Sequence, residues 1–171
     1  ITFFTSGNAV EQHPDIMAEL ADAGHEVTSH AYSEGRIYPD LSEEQQRQDV
    51  RETADLIEEC TGERPVGWLC PGALADEKLM HVLAEEGYLY NADLQDDELP
   101  YFMDFEDIDT TMVQTTYRMV GNTNDYFLPW TLYDSRAPTD FVLDYLKSTF
   151  DAYYREASRR PLFWNYGMHP Y

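Results

Sequence analysis

Lysine is nearly missing from this chain. Only Lys78 and Lys147 occur, and Lys and Arg together number 11 against 33 Asp and Glu, for a net charge of −22. Such a surface repels phosphate backbones, which argues against nucleic acid as a partner. Cysteine is scarce as well. Cys60 and Cys70 are too few for a disulfide scaffold and are read as small buried side chains. No apolar run approaches the ~20 residues that cross a bilayer, so neither a transmembrane helix nor a membrane partner is expected. No basic-then-apolar leader opens the chain, and the expected compartment is cytoplasmic.

What is present describes a folded protein. Of its 171 residues, 43% are hydrophobic and 14% aromatic, enough for one domain with a sizeable core. The acid is spread along the whole chain and is not gathered in a tail. That distribution resembles proteins of salt-loving microbes, and a high-salt organism is the expected source.

One stretch organises the rest: Gly24-His25-Glu26-Val27-Thr28-Ser29-His30-Ala31-Tyr32-Ser33-Glu34. Gly24 stops a helix, Val27 and Thr28 favour a strand, and His30 leaves the strand's carboxyl end. The same grammar runs through the chain. Residues 1–5 read as a buried strand. Residues 8–23 read as a helix with Val10, Ile16, Met17, Leu20 and Ala21 on its stripe and Pro14 in its first turn. Residues 25–29 are the second strand and 31–41 a polar loop. Ser42 and Gln45 form a capping box opening a helix that carries Val50, Ala54, Ile57 and Thr61 and ends at Gly62. Residues 66–70 form the third strand. Asp76 then starts a helix with Leu79, Met80, Leu83 and Ala84 inward, and residues 88–91 form the fourth strand.

From 93 the pattern weakens into an acidic loop, a strand over 112–117 and an aromatic loop over 121–136. Thr139 caps a last helix, with Val142, Leu146, Phe150, Tyr153 and Ala157 inward, and residues 162–166 read as a last buried strand. Strands alternating with amphipathic helices predict a parallel sheet with helices outside, here a (β/α) barrel forming a single domain over 1–171. Both chain ends fall on strands, so the barrel is expected to be incomplete at both.

The chemistry-bearing residues gather at the strands' carboxyl ends, where α/β folds build their sites. His30 and Glu34 are four apart, and imidazole and carboxylate both ligate zinc-like ions. The alternative is a local hydrogen bond beside a solvated acid. Asp93 lies nearest the fourth strand in the acidic run Asp96-Asp97-Glu98, placed to orient a histidine or act as a base. His169, held extended by Pro170, suits a general acid. His13 and His81 are read as structural or surface residues, and His25 is given no role. Trp68, Tyr101, Phe102, Trp130, Trp164 and Tyr166 offer aromatic walls for sugar rings or flat amides, although core packing explains Trp68 and Trp164 equally well.

At these residues the chain resembles the polysaccharide deacetylases, the NodB-homology fold of carbohydrate esterase family 4. Thr2-Phe3-Phe4-Thr5 with Asn8 and His13-Pro14 is similar to the family's strand and helix after its first motif. Gly24-His25-Glu26-Val27 leading to Ser29-His30-Ala31-Tyr32-Ser33 matches the histidine motif. Thr61-Gly62-Glu63-Arg64-Pro65-Val66-Gly67-Trp68 leading to Pro71-Gly72 matches the third. Gly87-Tyr88-Leu89-Tyr90-Asn91-Ala92-Asp93 resembles the fourth, and Gly167-Met168-His169-Pro170 the terminal histidine motif.

The resemblance implies a distorted (β/α) barrel that hydrolyses a non-peptide carbon–nitrogen bond, commonly of an N-acetyl group. In metal-dependent members an aspartate and two histidines hold the ion, a second aspartate activates water, and the terminal histidine protonates the amine. Here Glu34 stands where the second histidine belongs, Leu69 replaces the third motif's usual arginine, and the aspartate-bearing first motif would precede Ile1. Trp68 after Gly67, and Asp96-Asp97-Glu98-Leu99-Pro100-Tyr101, resemble the cofactor-independent allantoinase-like branch. The expected roles follow from this. His169, Asp93 and His30 are catalytic, and Trp68, Pro71, Tyr101 and Trp130 bind substrate. His30 and Glu34 are conditional ligands for a zinc-like divalent ion, with no cofactor as the alternative. The substrate is expected to be a carbohydrate or another small molecule, and a homo-oligomer is allowed. A catalytically inactive carbohydrate-binding or scaffold protein of the same fold is the competing reading.

Overall fold

The computed structural model describes residues 1–94, 96–97, 99–115, 139–165 and 167. Contacts group the chain into two units, residues 1–94 with 101–115, and 95–100 with 116–171.

The first unit is built on a six-stranded sheet of order β1-β2-β3-β4-β6-β5. β1 (Thr2–Thr5), β2 (Glu26–Ser29), β3 (Gly67–Trp68), β4 (Tyr90–Asn91) and β6 (Ile108–Gln114) run parallel. β5 (Tyr101–Phe105) pairs antiparallel with β6, so the sheet is mixed and not purely parallel as the alternation predicts.

The helices follow their sequence signals closely, with one break. The single helix expected over 8–23 is two, α1 (Gly7–Gln12) and α2 (Pro14–Asp22). His13 leaves helical geometry between them at φ −138°, and Pro14 has no N–H with which to continue the first helix. On α2, Met17 is buried but Ile16 is exposed, against its expected place on the inner stripe. α3 (Glu43–Thr61) opens on the Ser42–Gln45 capping box and closes at Gly62, whose φ of +78° is the left-handed geometry glycine supplies. α4 (Glu77–Glu85) starts at Asp76, whose side chain accepts the Leu79 N–H.

Helices and sheet enclose two apolar clusters. Tyr38, Val50, Trp68, Leu79, Leu83, Tyr88 and Met112 form the larger, and Val10, Met17, Val27 and Ile57 the smaller. In β2 the alternation of a strand sends Val27 to the helix side and leaves Glu26 and Thr28 on the opposite side. There the Thr28 hydroxyl donates to the Gly67 carbonyl (2.5 Å) and accepts the Gly67 N–H (3.0 Å), fastening β2 to β3.

In the second unit α5 (Thr139–Glu156) is the described element. Phe150 stacks on Tyr154 and meets Trp164 edge-on, yet it stays half exposed. Of the strand expected over 162–166, residues 162–165 carry none and 166 lies outside the described residues. Among the described residues no helix is long and apolar enough to cross a membrane.

Candidate active site

His30 is the first residue past β2, and its backbone N–H still donates to the Thr5 carbonyl of β1 (3.0 Å). The strand ladder therefore fixes its position up to the Cα. The ring is fixed from both sides. Nδ1 lies 2.5 Å from the Leu69 carbonyl, and Nε2 lies 3.0 Å from Glu34 Oε1. A carbonyl oxygen only accepts, so Nδ1 carries the proton in that bond. His30 is largely covered, whereas Glu34 is 68% exposed and reaches the ring from solvent.

Asp93 stands two residues past β4 and is buried. Oδ1 accepts the Cys70 N–H (2.6 Å), Oδ2 accepts the Asn91 amide (2.6 Å), and the Asp93 N–H returns a bond to Asn91 Oδ1 (2.8 Å). Burial pushes the carboxyl up to about 6, against the downward pull of the Asn91 amide and the Cys70 N–H. The Cys70 thiol beside it is also pushed up, first by burial and then by the Asp93 charge. Leu69 C=O and Cys70 N–H are the two ends of one peptide group. That group, just past β3, accepts from His30 on one side and donates to Asp93 on the other.

The loop after His30 is anchored as firmly. Ala31 adopts φ +57°, a strained geometry for a residue with a Cβ. Its carbonyl and that of Tyr32 accept the N–H groups of Gly7 and Asn8 (2.9 Å each) at the start of α1. A Cβ on Gly7 would lie 2.7 Å from the Tyr32 ring, so this close approach requires glycine. From α3, the fully buried Asp49 accepts the Tyr32 N–H (3.0 Å) and the Tyr38 hydroxyl, and pairs with Arg36 (2.7 Å). Sequence reading missed Asp49, although Gln46, Asp49, Thr53 and Ile57 recur at helical spacing on the buried face.

The polysaccharide deacetylase family profile matches residues 1–90. The chain belongs to that family. Among solved structures, this polysaccharide deacetylase-family chain superposes on the Puue allantoinase at a TM-score of 0.82 and 30% identity, covering 99% of this chain and 54% of that one. It is 31% identical to the peptidoglycan deacetylase of Helicobacter pylori over 104 residues, 60% of this chain and 35% of that protein. It is equally 31% identical to the peptidoglycan deacetylase-like protein FGM2 of Gibberella zeae over 108 residues, 61% of this chain and 31% of that protein. The fold is that of the NodB-type (β/α) barrel, of which this chain spans part. It covers about a third of the length of these curated relatives.

Of the residues the family motifs single out, His30 and Asp93 are brought together through one peptide group. Trp68 is not a ligand wall. Its ring is fully buried edge-on to Tyr38 and Tyr88, so of the two readings its sequence allows, core packing holds. Pro71 is buried in the 3-10 turn Pro71–Ala73, and Tyr101 is half-buried at the first position of β5. Trp130, Tyr166 and His169 lie outside the described residues. Among the described residues no three His, Cys, Asp or Glu side chains converge as a metal ion requires. His30 and Glu34 thus supply two donors of a set that these residues do not complete.

Proposed function

We propose that the protein containing this chain hydrolyses a carbon–nitrogen bond other than a peptide bond, removing an N-acetyl group or opening a small amide. The observation that carries the reading is the meeting of His30 and Asp93 on one peptide group, at the carboxyl edge of adjacent parallel strands. Amide hydrolysis needs groups that hold water or the carbonyl against the attacked carbon, and a donor that protonates the leaving nitrogen. His30 and Asp93 take the first task and His169 the second, with Tyr101 and Trp130 as substrate contacts. Glu34 is a conditional ligand, and a metal bound by the full-length protein and lost in Glu34→Ala would put it in the ligand set.

Family membership supports the reaction class. Structural likeness reaches 99% of the chain both for an allantoinase and for a probable polysaccharide deacetylase of Pseudomonas aeruginosa, which supports a small amide and a glycan alike. The same span supports one NodB-homology domain comprising both units. The spread of acid along the chain supports a high-salt setting.

The test is turnover by the full-length protein on two substrates in parallel, allantoin for ring opening and an N-acetylated oligosaccharide for acetate release. Hydrolysis of either is expected. His169→Ala then lowers kcat by ~10²–10⁴ with little change in KM, the range of a lost general acid. A change confined to KM removes that role from His169, and no turnover on either substrate removes the reading.

A further inference from the structure

We infer that Gln46 is a positioning residue of the candidate site, its buried amide tying the loop after β2 to the loop after β3. Both loops carry site groups. The first begins at His30 and bears Glu34, and the second begins with the Leu69–Cys70 peptide. At their starts the strand ladder joins them, with the Leu69 N–H donating to the Ser29 carbonyl (3.1 Å). Their far ends have left the sheet, and Gln46 of α3 stands between those ends. Its Nε2 donates to the Tyr38 carbonyl of the first loop (2.8 Å) and to Asp76 Oδ1 at the end of the second (3.1 Å).

The amide has a single workable orientation. Turned over, it would set Oε1 against two acceptors, a carbonyl and a carboxylate oxygen. As it stands, Oε1 is buried with no partner among the described residues. An unpaired buried carbonyl is unfavourable, and an apolar side chain of the same length would avoid that cost. The two donated bonds are what glutamine adds at this position. The second loop depends on such a tie. Its Ala73 sits at φ +52°, a left-handed geometry that a residue with a Cβ keeps only where its surroundings impose it. Lys78 also links the far ends, reaching the Leu41 carbonyl (2.7 Å) and Asp76 Oδ2 (3.1 Å), but its side chain is 41% exposed. A solvated ammonium holds a geometry less firmly than a buried amide. The catalytic meaning of the tie rests on the hydrolase reading, but the tie itself does not.

The test places spin labels at Gly35→Cys and Leu74→Cys in the full-length protein, with other accessible cysteines replaced by serine. Both positions are exposed, and a Cβ on Gly35 meets only the Ser33 hydroxyl, at 3.8 Å. With Gln46 present the labels report one narrow distance. Gln46→Met keeps the length of the side chain and loses both donated bonds, and the narrow distance gives way to a broad one. Asp76→Ser still caps α4 but is too short to reach Gln46, and broadens the distance likewise. Ile57→Val, a core change on the same helix, leaves it narrow. A distance that stays narrow in Gln46→Met, or in Asp76→Ser should Gln46→Met not fold, overturns the proposal. Equal broadening in Ile57→Val does the same, since it would mark general loosening. On whichever substrate is hydrolysed, Gln46→Met lowers kcat by up to ~10²-fold, the scale of a misplacement of about 1 Å, and Ile57→Val does not. An unchanged kcat beside a broadened distance removes the positioning role. The distance is read without turnover, so a protein that hydrolyses neither substrate still tests the tie.

Discussion

Asp93 joins two opposed effects in one side chain. Its burial favours the protonated acid, while the Asn91 amide and the Cys70 N–H favour the carboxylate, and burial prevails, with the carboxyl at about 6. The folded protein therefore binds this proton more tightly than the unfolded chain does. The stability Asp93 adds is complete below the ordinary carboxylate value near pH ~4, and is lost as pH rises through about 6. A displacement of that size corresponds to ~3 kcal/mol. The unfolding free energy of the wild type minus that of Asp93→Asn should fall by up to this amount between pH ~4 and ~6 and level off above. Urea titrations across that range check it, and a constant difference would show that Asp93 does not titrate with folding. His30 and Asp93 could be picked from the sequence because each lies within two residues of a strand's carboxyl end in a family-like motif. The Leu69–Cys70 link could not, since it depends on how far three strands are displaced along one another.

Among the elements, local signals were legible and non-local ones were not. Ser42 with Gln45, and Gly62 at +78°, mark both ends of α3 by side-chain and backbone chemistry contained in a few residues. β5 escaped detection although Tyr101, Met103 and Phe105 alternate with Phe102 and Asp104. The acidic run before it and the exposed Phe102 read as loop, and only pairing with β6 makes the segment a strand. Gly67 shows how one missing side chain joins distant elements. Tyr90 lies across it to reach Glu26 on β2 (3.0 Å), and a Cβ on Gly67 would sit 2.0 Å from the Tyr90 ring. Gly67→Ala should cost ~1–3 kcal/mol by forcing that ring aside, as overpacking does. The same substitution in a Tyr90→Leu background should cost clearly less. Equal costs in denaturant unfolding would trace the loss to the strand backbone and not to the ring.

For the whole molecule the governing quantity is the net charge of −22. Like charges spread over one surface destabilise the compact state, and salt relieves this as the Debye length shortens from ~10 Å at 0.1 M to ~3 Å at 1 M. The midpoint of thermal unfolding should therefore rise as sodium chloride goes from ~0.1 to ~1 M. Replacing Glu44, Glu52 and Glu59, which are exposed along one side of α3, by Gln should flatten that rise. A midpoint indifferent to salt would separate the acidity of this chain from its stability. Composition made this trait readable without any structure, because it depends on counts and not on contacts.

Asp49 grips the loop after His30 at Tyr32 on one side and at Arg36 and Tyr38 on the other, leaving Glu34 and Gly35 exposed between the anchors. Selection can therefore act on these positions separately from the scaffold. A lineage can exchange the residue facing His30, an imidazole for a carboxylate or a neutral group, while both ends of the loop stay where α3 holds them. Chemistry at position 34 is free to drift between descendants that share one unchanged frame.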